Sequence, residues 1–116
     1  YVKSLLNLLR YFSLKGIAHI TGGGLLDNIP RVLPRNCGTV IEPASWTRPA
    51  IFDLLQEAGN IPSEEMYRTF NCGIGMVLIV APEDTEDILN RLHGLGEQAW
   101  LIGHVKRAEA PDVQLA

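Results

Sequence analysis

The sequence predicts an α+β domain in which helices pack on a mixed β-sheet. Segments with apolar residues at helical spacing alternate with short β-branched runs, in the order α, β, α, β, α, α, β, α, β. One run, from Gly73 to Ala81, is apolar throughout, the pattern of a buried central strand. The 116 residues are 47% hydrophobic and 20% charged, proportions of an ordinary globular chain. A chain of this length buries roughly two thirds of its unfolded surface, enough for one core.

Each element follows from local pattern. Residues 1–13 place Val2, Leu5, Leu6, Leu8, Leu9 and Phe12 on a helical stripe that Gly16 ends. Residues 16–20 read as a short strand and Gly22 to Gly24 as a turn. A short helix is expected over Leu25–Val32, distorted by Pro30, which lacks an N–H. The β-rich run Gly38–Glu42 predicts a strand. Thr47 looks like an N-cap, with Pro49 in the first turn of a helix carrying Ala50, Ile51, Leu54, Leu55 and Ala58. Ser63-Glu-Glu-Met66 matches a capping box that opens a helix over Glu64–Phe70. Pro82 ends the apolar run, and Glu83–His93 is an amphipathic helix closed by Gly94 and Gly96. Ala99–Val105 reads as a strand, and Val113–Leu115 as a short last strand or a tail. Met76 to Val105 has the size of a βαβ unit, which predicts two parallel strands joined by a right-handed crossover.

Composition narrows the function. The net charge is −3 and the only basic cluster is Lys106-Arg107, a poor footprint for nucleic acid. No apolar run reaches the roughly 18 residues of a membrane helix, and no signal peptide is evident. Cys37 and Cys72 are the only cysteines, with no metal-ligand spacing, so they read as two free thiols in a reducing cytoplasm and no metal site is expected. The chain begins at Tyr1 in a helical pattern, as expected of a piece of a longer protein.

The chemistry-bearing segment is Gly16-Ile-Ala-His-Ile-Thr-Gly-Gly-Gly-Leu-Leu-Asp-Asn-Ile-Pro-Arg-Val-Leu-Pro34. A strand carrying His19 runs into Thr21 and three glycines, and a helix follows. Backbone amides freed by glycine make a cradle for an anion such as phosphate. A tight turn is the plainer reading of the same triplet. The run is not a Walker A loop, because no Gly-Lys-Ser/Thr follows, and it lacks the spaced third glycine of a dinucleotide fingerprint. His19 is either a hydrogen-bonded strand residue or a group that holds a substrate amide or moves a proton near neutral pH. A second constellation, Met66-Tyr-Arg-Thr-Phe-Asn-Cys-Gly-Ile-Gly-Met76, passes through Asn71, Gly73 and Gly75 into the apolar strand. Its side-chain-free face admits either a ligand or a neighbouring backbone. Arg68 is either a solvated helix charge or an anion partner. His93, at a helix end, reads as a dipole partner.

These two segments, in this order and spacing, closely resemble the C-terminal domain of the phosphoribosylformylglycinamidine cyclo-ligases, the aminoimidazole ribonucleotide synthetases. The ending Ala99-Trp-Leu-Ile-Gly103 fits as well, so the resemblance covers essentially the whole chain. Asp27 stands where the family usually has Glu, and Cys72 where many members have Met. The resemblance implies a purine-biosynthetic ligase. With ATP and Mg2+ it converts formylglycinamidine ribonucleotide to aminoimidazole ribonucleotide by activating an amide oxygen and closing a ring.

It also implies a division of labour. The family's N-terminal ATP-binding domain, and the first strand and helix of the C-terminal domain, are absent, so residues 1–116 are expected to be a partial C-terminal domain, truncated at its N-terminal edge. ATP and Mg2+ would be bound mainly by the missing part. The expected site is His19 as the catalytic candidate, with Thr21, Gly22, Gly23, Gly24, Asn28, Arg31 and Asn71 binding substrate or its phosphate. The implied enzyme is cytoplasmic, acts on a small molecule, binds neither nucleic acid nor membrane, and is a homodimer or oligomer. Two other readings stand beside it: a non-catalytic, self-associating fragment that is inactive alone, and a related ATP-dependent synthetase or kinase of the same superfamily. The Asn28-Ile-Pro-Arg31 tail argues against the last.

Overall fold

The computed structural model describes residues 1–116 as five α-helices and five β-strands. They are α1 (Val2–Tyr11), β1 (Gly16–His19), α2 (Gly24–Asn28), β2 (Cys37–Ile41), α3 (Ala50–Gly59), α4 (Ser63–Thr69), β3 (Met76–Ile79), α5 (Thr85–Gly94), β4 (Gly103–Arg107) and β5 (Val113–Leu115). The α+β architecture holds, with the strands divided between two small sheets. In the first, β1 and β3 run antiparallel, with Gly16 opposite Ile79 and His19 opposite Met76. The second has the order β4-β2-β5 and is mixed: β4 is antiparallel to β2 and β5 parallel to it. No helix is long and apolar enough to cross a membrane.

Several local expectations change. The parallel βαβ unit does not form, because β3 and β4 lie in different sheets, and the handedness rule governs only strands of one sheet. Instead β4 uses one edge of β2, and the Glu42 amide extends that ladder to the Ile102 carbonyl at 2.8 Å. The strand consequently starts at Gly103 rather than Ala99. The apolar run at 73–81 is a strand only over Met76–Ile79, and it is half-buried rather than central. Its first residues are spent on a turn in which Cys72 and Gly73 take φ of 52° and 99°. Pro30 splits the expected 25–32 helix into α2 and a 3-10 turn at Pro30–Val32. Neither side-chain cap forms: α3 and α4 begin after Pro49 and Pro62, whose fixed φ launches each helix.

The main core joins Ala18 and Ile20 of β1 and its exit, Leu25 and Ile29, Ile41 of β2, Trp46, Met66 and Tyr67 of α4, Cys72 and Ile74. Leu8 and Ile88 are buried outside it, where α1 meets α5. Only 17 of the 116 residues are buried, because two helices turn their apolar stripes outward. On α1, Val2, Leu6 and Leu9 face solvent while Ser4 is buried and donates to Glu97 at 2.9 Å. On α3, Phe52 packs edge-on against Phe70, whereas Ile51, Leu54 and Leu55 are 54%, 60% and 38% exposed.

One close contact in the core is between backbones. Gly24 opens α2 with φ of 59°, and a side chain there would run into the carbonyl oxygens of Tyr67 on α4 and of Phe70 just past its end. Two helices can approach this closely only where one carries no Cβ. Gly24→Ala should therefore destabilise the fold by about 2–4 kcal/mol, combining overpacking with a strained left-handed φ. Denaturant unfolding measured against the unsubstituted protein checks this.

Candidate functional site

The Gly24 contact brings the two distant motifs together. The Ile20 amide, one residue past β1, donates to the Gly75 carbonyl at 3.0 Å, and β1 lies beside β3 from Gly16 to His19. The glycine loop Thr21–Gly23 therefore stands beside the Asn71–Gly75 turn, although some 50 residues of chain separate them.

Asn28 shapes the loop. It is 5% exposed, and its side-chain amide donates to the carbonyls of Gly24 at 2.7 Å, Thr21 at 3.2 Å and Gly22 at 3.3 Å. Its Oδ1 accepts from the Thr21 hydroxyl at 3.3 Å and from Arg31 at 3.2 Å. One buried side chain thus gathers the loop carbonyls inward. The Gly24 amide closes the turn on the Thr21 carbonyl at 3.0 Å, while the amides of Thr21, Gly22 and Gly23 donate to no other group of the chain. Carbonyls pulled in and amides left free make a donor set suited to an anion. Since α2 is only five residues long, this capacity comes from the loop rather than from a helix dipole.

The three glycines have different reasons. Gly24 is buried and belongs to the α2–α4 contact, so it cannot reach a ligand. Gly23, at φ of 97°, turns the chain, and a Cβ there would strike Asp27. Gly22 is exposed, and a Cβ there would meet nothing within 4 Å. No contact in this chain requires a glycine at position 22.

The other expected residues divide. His19 is exposed beside the loop and makes no side-chain hydrogen bond within the chain, so its ring is open to solvent. Arg31 is exposed, with its only partner Asn28 Oδ1, and leaves most of its donors available at the loop. Arg68 is engaged instead, pairing with Glu65, with Glu64 at 3.8 Å and with Asp27 at 3.9 Å. Asn71 folds back on its own turn: its Oδ1 accepts the Gly73 amide at 2.8 Å and its carbonyl the Ile74 amide at 3.0 Å. The glycine face of the second motif is filled by the chain itself, with Pro49 over Gly73 and the Tyr1 ring over Gly75. The His93 ring donates from Nε2 to the Ala99 carbonyl, 3.0 Å away, and ties the end of α5 to the following loop.

Sequence reasoning passed over Trp46 and Arg48. The Trp46 indole N–H donates to the Cys72 carbonyl at 3.0 Å, and its ring meets Tyr67 edge-on. Arg48 bonds Gln56 at 2.8 Å and Asp53 at 2.9 Å and lies over the Tyr67 ring. Burial works against the Arg48 charge, but the Tyr67 hydroxyl and the nearby Cys72 and Asp53 outweigh it and hold its pKa above the ordinary value. Burial likewise pushes the Cys72 thiol up, with Arg48 opposing, so the thiol stays protonated and its S–H faces the Met66 carbonyl at 3.5 Å. A tryptophan between Ser45 and Thr47, in a segment otherwise polar or proline-rich, was the available signal.

No three His, Cys, Asp or Glu side chains gather closely enough to hold a metal ion. The acids nearest the loop, Asp27, Glu64 and Glu65, converge on Arg68 instead.

Comparison with known proteins shows the family of the chain. Residues 1–116 match the family model described as AIR synthase related protein, C-terminal domain. A phosphoribosylformylglycinamidine cyclo-ligase of Trichlorobacter lovleyi is 64% identical over 106 residues, covering 91% of this chain and 30% of the relative. Those of Geotalea daltonii and Geobacter metallireducens are 59% and 60% identical over 110 residues, covering 95% of this chain and 32% of each relative. The chain thus spans about a third of the length of the curated relatives it matches. With the family model matched from end to end, and with relatives of this identity, the chain belongs to the C-terminal-domain family of the AIR synthase related proteins.

Proposed function

We propose that the chain supplies part of the substrate cleft of a phosphoribosylformylglycinamidine cyclo-ligase, a purine-biosynthetic ligase of the cytoplasm that works as a homodimer or oligomer. The observation that carries this reading is the loop Thr21–Gly23. Its amides are free, its carbonyls are drawn in by Asn28, and the Arg31 cation lies at its edge. Such a loop receives the phosphate of a ribonucleotide, with the amides as donors and Arg31 balancing charge. Gly22 then has its reason, since a ligand would occupy the space its Cβ would take.

In the reaction, ATP phosphorylates the amide oxygen of formylglycinamidine ribonucleotide, an amidine nitrogen attacks the same carbon, and phosphate leaves as the imidazole ring closes. ATP and Mg2+ belong, in this reading, to residues outside the chain. The acids present here do not form a metal set. The chain's own contribution is to hold the substrate phosphate and to present the exposed imidazole of His19 beside it. There the ring donates a hydrogen bond or a proton to the amide oxygen as charge develops. Thr21 and Asn28 act through the loop shape, and Asn71 through the adjoining turn.

A second reading has its own support. The outward apolar faces of α1 and α3 favour association, so the isolated chain is a non-catalytic unit that binds copies of itself. The Asn28-Ile-Pro-Arg31 sequence leaves a related synthetase or kinase as the weaker alternative.

Three outcomes are expected. In the complete protein carrying this chain, Gly22→Ala should leave stability within about 0.5 kcal/mol. The same substitution should weaken substrate binding by about tenfold or more, read as KM. Equal loss of stability and binding would remove the ligand explanation of this glycine. His19→Ala should lower kcat by about a hundredfold or more if the imidazole moves a proton, and unchanged turnover at saturating substrate would take His19 out of the chemistry. The purified 116-residue chain should neither hydrolyse ATP nor close the ring, and should self-associate. Light scattering from a clean monomer would refute the association, and detectable cyclisation would refute the inactivity.

A further inference from the structure

The segment Trp46–Pro49 grips the Asn71–Gly75 turn at two points. The buried Trp46 N–H donates to the Cys72 carbonyl at 3.0 Å. Three residues on, the Pro49 ring lies so close to Gly73 that a Cβ there would be 2.5 Å from Pro49 Cδ. The gripped turn is strained. Cys72 is a non-glycine residue at φ of 52°, followed by Gly73 at 99°. Such a conformation is costly and persists only where its surroundings over-determine it. Here the surroundings are the Trp46 bond, the Cys72 S–H on Met66, the Asn71 clasp on Gly73 and the Pro49 contact. At its far end the turn presents the Gly75 carbonyl to the Ile20 amide, and Ile20 leads directly into Thr21–Gly23.

We propose that Trp46 is a positioning residue for the glycine loop, acting through its hydrogen bond to Cys72 and the strained turn. This rests on the reading of Thr21–Gly23 as the substrate-phosphate loop. Without the indole N–H the Cys72 carbonyl is buried and unpaired, the left-handed turn relaxes, and the Gly75 carbonyl no longer fixes where β1 delivers the loop. Affinity for the phosphorylated substrate depends on this placement, while His19, on the strand itself, keeps its own register with Met76.

The test uses the complete protein that carries this chain, labelled with isotopic glycine. Trp46→Phe should move the amide resonances of Gly22, Gly23 and Gly75 and raise KM about tenfold, with kcat held within about twofold. Ile88→Val, in the separate α1–α5 contact, should lower Tm while leaving those resonances and KM in place. Replacing Trp46 with benzothienylalanine removes only the N–H at nearly constant ring shape. It should reproduce the resonance shifts, and it decides the matter if the phenylalanine variant does not fold. Unmoved Gly22 and Gly23 resonances in the benzothienylalanine protein would overturn the positioning role. Moved resonances with an unchanged KM would support it, and would instead refute the substrate-loop reading on which it rests.

Discussion

The close approach of α2 to α4 at Gly24 is the constraint on which the rest of this structure depends. With no Cβ at that position, the carbonyls of Tyr67 and Phe70 come against the start of α2. This sets the glycine loop beside the turn that follows α4. The core then closes around the joint, with Leu25 and Ile29 on one side and Met66 and Tyr67 on the other. A methyl group would push apart two stretches of backbone, which have no rotamer with which to yield.

Around this joint the polar groups are arranged by two rules. Inside, each buried donor or acceptor is consumed by the fold: the Asn28 amide takes loop carbonyls, and the Trp46 indole takes the Cys72 carbonyl. One buried atom, Arg48 Nε, departs from the rule and has no partner among the protein groups. Outside, a few donors remain free around the loop. They are the amides of Thr21 to Gly23, the Arg31 guanidinium and the His19 ring. Shape-holding and ligand-facing roles thus fall on different residues of one short motif. Gly24 and Asn28 sit on the first side of that division, and Gly22 and Arg31 on the second.

The outward apolar stripes of α1 and α3 follow from the same economy of surface. A small core bounded by two narrow sheets can bury one face of α4 and α2, but it cannot also cover Val2, Leu6, Leu9, Ile51, Leu54 and Leu55. Periodicity located both helices correctly. It could not say what covers their apolar faces, because a stripe looks the same whether its cover lies within the chain or elsewhere. The caps at Thr47 and Ser63 misled for a related reason: a neighbouring proline launches each helix without a side-chain bond, as Pro49 and Pro62 do here.

The order of residues alone was enough for the element sequence, the α+β class, the break at Pro30 and the family. Each of these is a local pattern or a long contiguous motif, and needs no knowledge of what lies across the core. It was also enough to single out His19 to Gly24 as the segment carrying chemistry. Only the tertiary structure decided which sheet each strand joins, since pairing depends on which edges stand free once the chain has collapsed. It alone separated Gly24 from Gly22, because the difference is a pair of carbonyls more than forty residues away. It alone brought Trp46 to the turn at Cys72, through a hydrogen bond between segments whose spacing in sequence carries no periodic signal.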